Sequence, residues 1–161
     1  MRGFSLLELV LALLLMAVLV GVFLDRALYY RELAEKSAME QVALDLRSSV
    51  NLSVAELVLK NRFTDLPGLA AQNPMDLLAS KPRNYLGVLG GGGVQEVVTG
   101  NWYFDVTSRE VVYYVESGRY FAPDEQGRMR VAWRVKLVQG GGGAAAPQWA
   151  RLELVRPYRW F

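Results

Sequence analysis

The hydrophobic pattern divides the chain into stretches of different period. From Phe4 to Leu24 every position is apolar except Ser5 and Glu8. As a helix that stretch spans about 31 Å, the thickness of a bilayer's hydrocarbon core. Asp25, Arg26, Arg31, Glu32, Glu35 and Lys36 then mark the exit from lipid. Beyond them Met39, Val42, Leu46, Val50, Val54 and Leu57 recur at three- and four-residue steps on one helix face, with Glu40, Arg47, Ser48 and Asn51 roughly opposite. No proline or glycine interrupts from Val22 to Lys60. The pattern predicts one helix from about Phe4 to Lys60, on the order of 85 Å long, apolar all round in its first half and amphipathic in its second. The stripe reads as core packing against a sheet, because a coiled-coil seam needs sustained heptads that are not present.

Thr64, Asp65, Pro67 and Gly68 predict a turn after the helix ends near Asn61. Asn73 is a good N-cap, Pro74 suits a first helical position and Asp76 suits a positive helix end, so a short helix is expected over Pro74–Ser80. A loop through Pro82, Tyr85 and Gly87 leads to Gly90–Gly93. That glycine run lacks the Lys-Ser/Thr of a phosphate loop and reads as a surface loop. From Asn101 the period changes to two. Trp102, Phe104 and Val106 share one face, as do Val111, Tyr113 and Val115 after a turn at Thr107–Arg109, which makes a hairpin. After a turn at Pro123–Gly127, Met129, Val131, Trp133, Val135 and Leu137 point inward while Arg130, Arg134 and Lys136 point outward. Gly140–Ala146 is a low-complexity loop, and Gln148–Arg156 a last strand with Leu152 and Leu154 buried. Pro157 ends it before Tyr158-Arg159-Trp160-Phe161, whose aromatics suit either a subunit contact or a place under the sheet. The expected fold is α+β: a four-stranded antiparallel sheet laid on the amphipathic half of a long N-terminal helix.

Composition narrows the chemistry. The 161 residues leave room for one anchor helix and one small globular domain. The formal net charge is +2, and loss of Arg2 lowers it to +1, which is no electrostatic signature for nucleic acid. There is no histidine and no cysteine. That removes Ser-His-Asp and Cys-His triads and most zinc sites, so no enzyme, cofactor or metal is expected. Asp105, Glu110 and Glu116 lie on the hairpin, and Asp124 and Glu125 in a turn. The Asp124-Glu125 pair beside Gly127 lacks the alternating oxygen ligands of a calcium loop and reads as a solvated turn. Arg130, Arg134 and Lys136, with Tyr113, Tyr114 and Trp149, offer a candidate face for a nucleic-acid backbone. Three charges on one outer strand face are more commonly a solubility pattern.

The segment Gly3-Phe4-Ser5-Leu6-Leu7-Glu8-Leu9 resembles the prepilin signature of type IV pilins and type II secretion pseudopilins. The resemblance implies cleavage by a prepilin peptidase between Gly3 and Phe4, methylation of the new N-terminus at Phe4, and use of Glu8 in filament assembly. The physical logic agrees: a carboxylate in an apolar span costs roughly 2.5–3.5 kcal/mol, and a neighbouring subunit's Phe4 amine can neutralise it. Family leaders are usually longer and more basic than Met1–Gly3, which leaves a start upstream of Met1 open. An ordinary secretory signal fits less well, because the apolar run is long and no small-x-small site follows it. The implied organisation is a leader over residues 1–3, a transmembrane and filament-core helix over 4–24, and a periplasmic pilin-like domain over 25–161. Arg2 favours a cytoplasmic N-terminus, opposed by Arg26 and Arg31, so an inner-membrane, single-pass orientation rests mainly on the resemblance.

The expected architecture is that of the pilin fold. Major type IV pilins often carry a C-terminal disulfide, so the absence of cysteine favours a minor pilin or pseudopilin. Segments at Asn73–Leu78, Asn84–Gly87 and Trp102–Asp105 resemble accessory pilin-like proteins of MSHA-type pilus systems. The partners implied are other pilin or pseudopilin subunits, the peptidase, the inner membrane and, indirectly, an assembly platform with its ATPase. The leading expectation is a processed structural or accessory filament subunit. The alternative is an accessory pilin that binds DNA or an exported substrate through Arg130, Arg134 and Lys136.

Overall fold

In the computed structural model, residues 5–90, 98–139 and 148–161 are described. Helix α1 runs unbroken over Leu6–Leu59, about 80 Å. It stops where the sequence leads one to expect. Asn61 takes a left-handed φ of 55°. Arg62 N–H donates to the Leu57 carbonyl at 2.8 Å and Asn61 N–H to that of Val58 at 3.0 Å. This Schellman pair satisfies carbonyls the last turn leaves free.

The expected turn at Thr64–Gly68 is instead a 3₁₀ turn, Phe63–Asp65, running into a short helix α2, Leu66–Ala71. Pro67 sits in its first turn, where a missing N–H costs nothing, and Leu66 and Leu69 are buried by the fold. The expected helix at Pro74–Ser80 is shorter, a 3₁₀ turn over Pro74–Leu77. Asn73 Oδ1 accepts from Met75 N–H at 3.1 Å, as the N-cap reading requires. Leu78 then turns extended, and both Leu77 and Leu78 pack on the core.

The sheet has five strands and is mixed, which corrects the four-stranded antiparallel expectation. Its order is β1 (Tyr85–Leu89), β2 (Asn101–Asp105), β3 (Glu110–Tyr114), β4 (Arg130–Gln139) and β5 (Gln148–Leu154). β1, read from the sequence as loop, pairs parallel with β2. It is short, it breaks register between Tyr85 and Val88, and Gly87 within it has φ 100°. Its period is therefore weak, yet it supplies partners for the outer edge of β2. Trp102 N–H donates to Asn84 O at 2.8 Å and Val106 N–H to Leu89 O at 3.1 Å. The other pairs are antiparallel.

Register carries the expected inward residues onto one face: Trp102 lies opposite Tyr113 and Tyr113 opposite Val131, while Phe104, Val111, Trp133 and Leu154 form the next row. That face packs on Met39, Leu46, Val50 and Val54 of α1, all buried, with Val42 and Leu57 partly so. Two expected inward positions lie outside the core. Val106 is exposed because β2 ends at Asp105, whose carboxylate accepts from Thr107 N–H (2.8 Å) and the Ser108 hydroxyl (2.9 Å) to make the turn. Leu137 is exposed where β4 and β5 run past the helix-covered core. β5 ends at Leu154, short of the expected Arg156.

Candidate functional site

The apolar first part of α1 is not packed into the sheet domain. From Leu6 to Leu28 every residue is exposed, including Glu8 in the first turn. Eighteen consecutive residues of this helix average a hydropathy of 2.9, and the helix is long and apolar enough to cross a membrane. Ser5 stands at the N-cap, with its carbonyl accepting from Leu9 N–H at 3.1 Å. Gly3 and Phe4 lie outside the described residues. An exposed apolar surface of this extent marks a contact site for a membrane or for other protein.

Where α1 leaves that segment, its charges do more than mark an exit. Glu32 is 2% exposed. Its Oε1 accepts from Tyr120 N–H and from Trp160 Nε1–H, each at 2.9 Å. One turn on, Glu35 accepts from the Tyr113 hydroxyl (3.0 Å) and from the N–H groups of Glu116 (2.6 Å) and Ser117 (2.9 Å). Burial, reinforced by the Glu35 charge, pushes the Tyr113 hydroxyl above its ordinary pKa. Lys36 donates to the Trp160 carbonyl at 3.2 Å, and Glu40 accepts from the Tyr158 hydroxyl at 3.1 Å. Burial and that bond push Tyr158 up to about 12. Helix carboxylates thus clasp two segments, the β3–β4 loop and the last four residues. Trp160 is tucked against the core, and Phe121 pairs with it by an isolated bridge. Arg31–Glu116 (2.5 Å) and Arg119–Asp25 (3.2 Å) add exposed ion pairs at the same level. From the sequence these residues read only as polarity. The signal available was the spacing of Glu32, Glu35 and Lys36 on one side of a helix ahead of the apolar stripe, but their partners are some eighty or more positions away in sequence.

The candidate basic face is placed on the outer side of the sheet, with each cation beside a carboxylate. Arg134 meets Glu110 at 2.5 Å, Lys136 meets Glu153 at 3.1 Å and Arg130 meets Asp124 at 3.6 Å. Arg151 also pairs with Glu153, and hydrogen bonds from Lys136 and Arg151 hold the Glu153 carboxyl below the usual range. Tyr113 points to the helix side and Tyr114 lies opposite Arg130. Trp149 is exposed and sits opposite Val138 on the face of the cations. A cleft lined in part by Asp124, Arg130, Ala132, Arg156 and Arg159 opens beside Arg130. The Asp124 carboxylate is occupied within its own turn, accepting from the N–H groups of Gln126 (3.0 Å) and Arg128 (2.9 Å). Burial of this group opposes ionisation, but those bonds and the Arg128 guanidinium prevail and lower its pKa. Among the described residues no three His, Cys, Asp or Glu side chains are grouped to hold a metal ion.

Compared with protein-family models, curated proteins and solved structures, the chain gives no significant match. The features above therefore stand on their own geometry: an exposed apolar helix with one carboxylate, joined without a break to a small α+β domain clasped at its near end.

Proposed function

We propose that this chain is a membrane-anchored subunit of a pilus-like or type II secretion-like filament, a minor pilin or pseudopilin. The observation that supports it most is the half-helix Leu6–Leu28, exposed on every side and carrying Glu8 near its start. A bilayer shields such a surface before assembly and the like helices of other subunits shield it afterwards. Glu8 is costly in either setting unless a neighbour's N-terminal amine meets it, so it sets register between subunits. The signature around Gly3 and Phe4 fits a peptidase-processed leader. On this reading the sheet domain lies outside the cytoplasm.

The binding-module alternative draws on Arg130, Arg134 and Lys136, but their pairing with Asp124, Glu110 and Glu153 leaves little free positive charge to follow a phosphate backbone. Changing the three cations to Glu separates the readings. Failure of uptake or secretion with filaments intact favours the binding module.

The direct test is mass spectrometry of the N-terminal peptide in sheared filaments and in inner membrane from the same cells. A methylated Phe4 terminus in the sheared fraction is the expected result. The same peptide confined to membrane points to a pseudopilin or assembly primer, and retention of Met1 or Arg2 in both overturns the proposal. In the same assay Glu8→Ala is expected to be cleaved but not incorporated.

A further inference from the structure

At the level where α1 leaves its apolar segment, aromatic rings from three parts of the chain meet. Tyr29 of α1 lies edge-on to Tyr120 of the β3–β4 loop (5.7 Å between ring centres) and to Phe161 (5.2 Å). Tyr120 stacks on Phe161 at 5.3 Å, and Tyr30 extends the group at 5.5 Å from Tyr29. Arg119 stands over the Tyr120 ring and Lys36 over that of Phe161, each at 5.7 Å. The rings are not core: Tyr30 is 62%, Phe161 41% and Tyr120 36% exposed. Tyr29 follows Leu24 by five residues, so it stands about 7.5 Å beyond the apolar run. The headgroup region of a bilayer occupies roughly 5–7.5 Å on each side of the hydrocarbon, and helix side chains lean toward the N-terminus, which here is the lipid side. Tyr29 therefore stands at the outer edge of the headgroups whenever Leu6–Leu24 fills the hydrocarbon, with the rest of the cluster against it.

We infer that this collar is a lipid-interface seat: Tyr29, Tyr30, Tyr120 and Phe161 rest the sheet domain on the bilayer surface, in contact with headgroups. Tyr29, Tyr30 and Tyr120 each have one apolar and one polar end, the kind of ring that favours this depth, and Phe161 adds apolar area. The clasp from Glu32 and Glu35 holds the loop and tail at that level, so the seat belongs to the folded domain as well as to the helix. The surrounding charges fix the lipid chemistry. Asp25 pairs with Arg119 and Glu116 with Arg31, which leaves Arg26 as the collar arginine without an ion pair among the described residues. The seat is apolar and near neutral, suited to a zwitterionic surface with little need for anionic lipid.

The inference rests on the reading that the apolar half of α1 lies in a bilayer, and the test separates the two. The chain has no cysteine, so single spin labels are placed on the full-length protein at Leu14→Cys in the apolar segment, Arg119→Cys beside the collar, and Thr64→Cys past the far end of α1. Accessibility to oxygen and to a water-soluble nickel complex is read in phosphatidylcholine nanodiscs. The expected result is a lipid-buried Leu14 label, a water-exposed Thr64 label, and an Arg119 label roughly threefold less open to nickel than Thr64, as interfacial depth requires. Replacing Tyr30, Tyr120 and Phe161 by Ser restores nickel access at Arg119 while Leu14 stays buried. Exchange of half the lipid for phosphatidylglycerol leaves the values unchanged. An Arg119 label as open as Thr64, with Leu14 buried, overturns the seat and spares the membrane reading. An open Leu14 label overturns both. Dipolar broadening at Arg119 between copies sharing a disc means that a second subunit, not lipid, covers the collar.

Discussion

Replacing Glu32 by Ala tests whether the near end of the domain is held by a buried carboxylate. Glu32 is 2% and Trp160 3% exposed, so water cannot take over the bond between them, while the Tyr120 N–H is only part-buried. The change removes the acceptor of Trp160 Nε1–H and of Tyr120 N–H. Each stranded donor costs about 1–3 kcal/mol. Removing a desolvated charge returns part of that, and a net loss of about 3 kcal/mol is expected. In a protein of this size that lowers the melting temperature by about 10 °C. Glu32→Gln keeps the size and an acceptor oxygen but makes neutral bonds of roughly half the strength, so its loss is about 1 kcal/mol. The assay is thermal unfolding of the full-length protein in nanodiscs, followed by near-ultraviolet circular dichroism, which reports the packed Trp160. Combining Glu32→Ala with Trp160→Phe should cost less than the two single losses together by about 1–2 kcal/mol, since both remove one bond. A melting temperature for Glu32→Ala within about 2 °C of the parent, or full additivity in the double variant, would refute the clasp.

Other outcomes follow from the same structure. Arg134→Ala leaves the Glu110 carboxylate, 6% exposed, without its partner; because the Arg134 side chain is 39% exposed, the loss in urea unfolding should be about 2 kcal/mol, below the range for a fully buried pair. Leu46→Ala removes a 0% exposed side chain under the sheet and should cost about 2–5 kcal/mol in the same assay. Tyr158 has a folded-state pKa of about 12, raised above the unfolded value near 10, so the fold favours the neutral hydroxyl. Its contribution is complete below about pH 10 and is lost as pH rises from there through about 12; melting temperatures across that window should fall less steeply for Tyr158→Phe. At Gly118 an added methyl would run into the Met129 sulfur, so Gly118→Ala should destabilise by about 1–2 kcal/mol, and by less when introduced beside Met129→Ala than into the parent.

The parts of the fold legible in the sequence are those with a local period. The stripe from Met39 to Leu57 announces the buried face of α1, and the alternation in Trp102–Phe104, Val111–Tyr113 and Val131–Val135 announces the strands that cover it. β1 was not legible, since Gly87 and the register slip between Tyr85 and Val88 erase its period and its pairing depends on a β2 edge that lies later in the chain. α2 was hidden by Pro67 and Gly68, whose turn-forming character dominates locally while burial of Leu66 and Leu69 decides the outcome. At the candidate site, Glu8 stands out as a lone carboxylate in an apolar run. Glu32 and Glu35 do not, because an acid on a helix after an apolar segment looks like ordinary solvation until the distant Tyr120, Ser117 and Trp160 are brought to it.

The unbroken course of α1 has a mechanical consequence. With no glycine or proline from Val22 to Lys60, the segment between Leu24 and Glu32 acts as a torsion shaft between the apolar half and the sheet. Each residue of that shaft sets about 100° of azimuth and 1.5 Å of height. Inserting one residue there swings the sheet about a quarter-turn around the helix axis relative to Glu8, whereas inserting seven returns it to within about 20° of its starting bearing, some 10 Å higher. The direction in which the domain faces its surroundings is thus set by a count of residues, and helical phase links the carboxylate at one end to the sheet at the other.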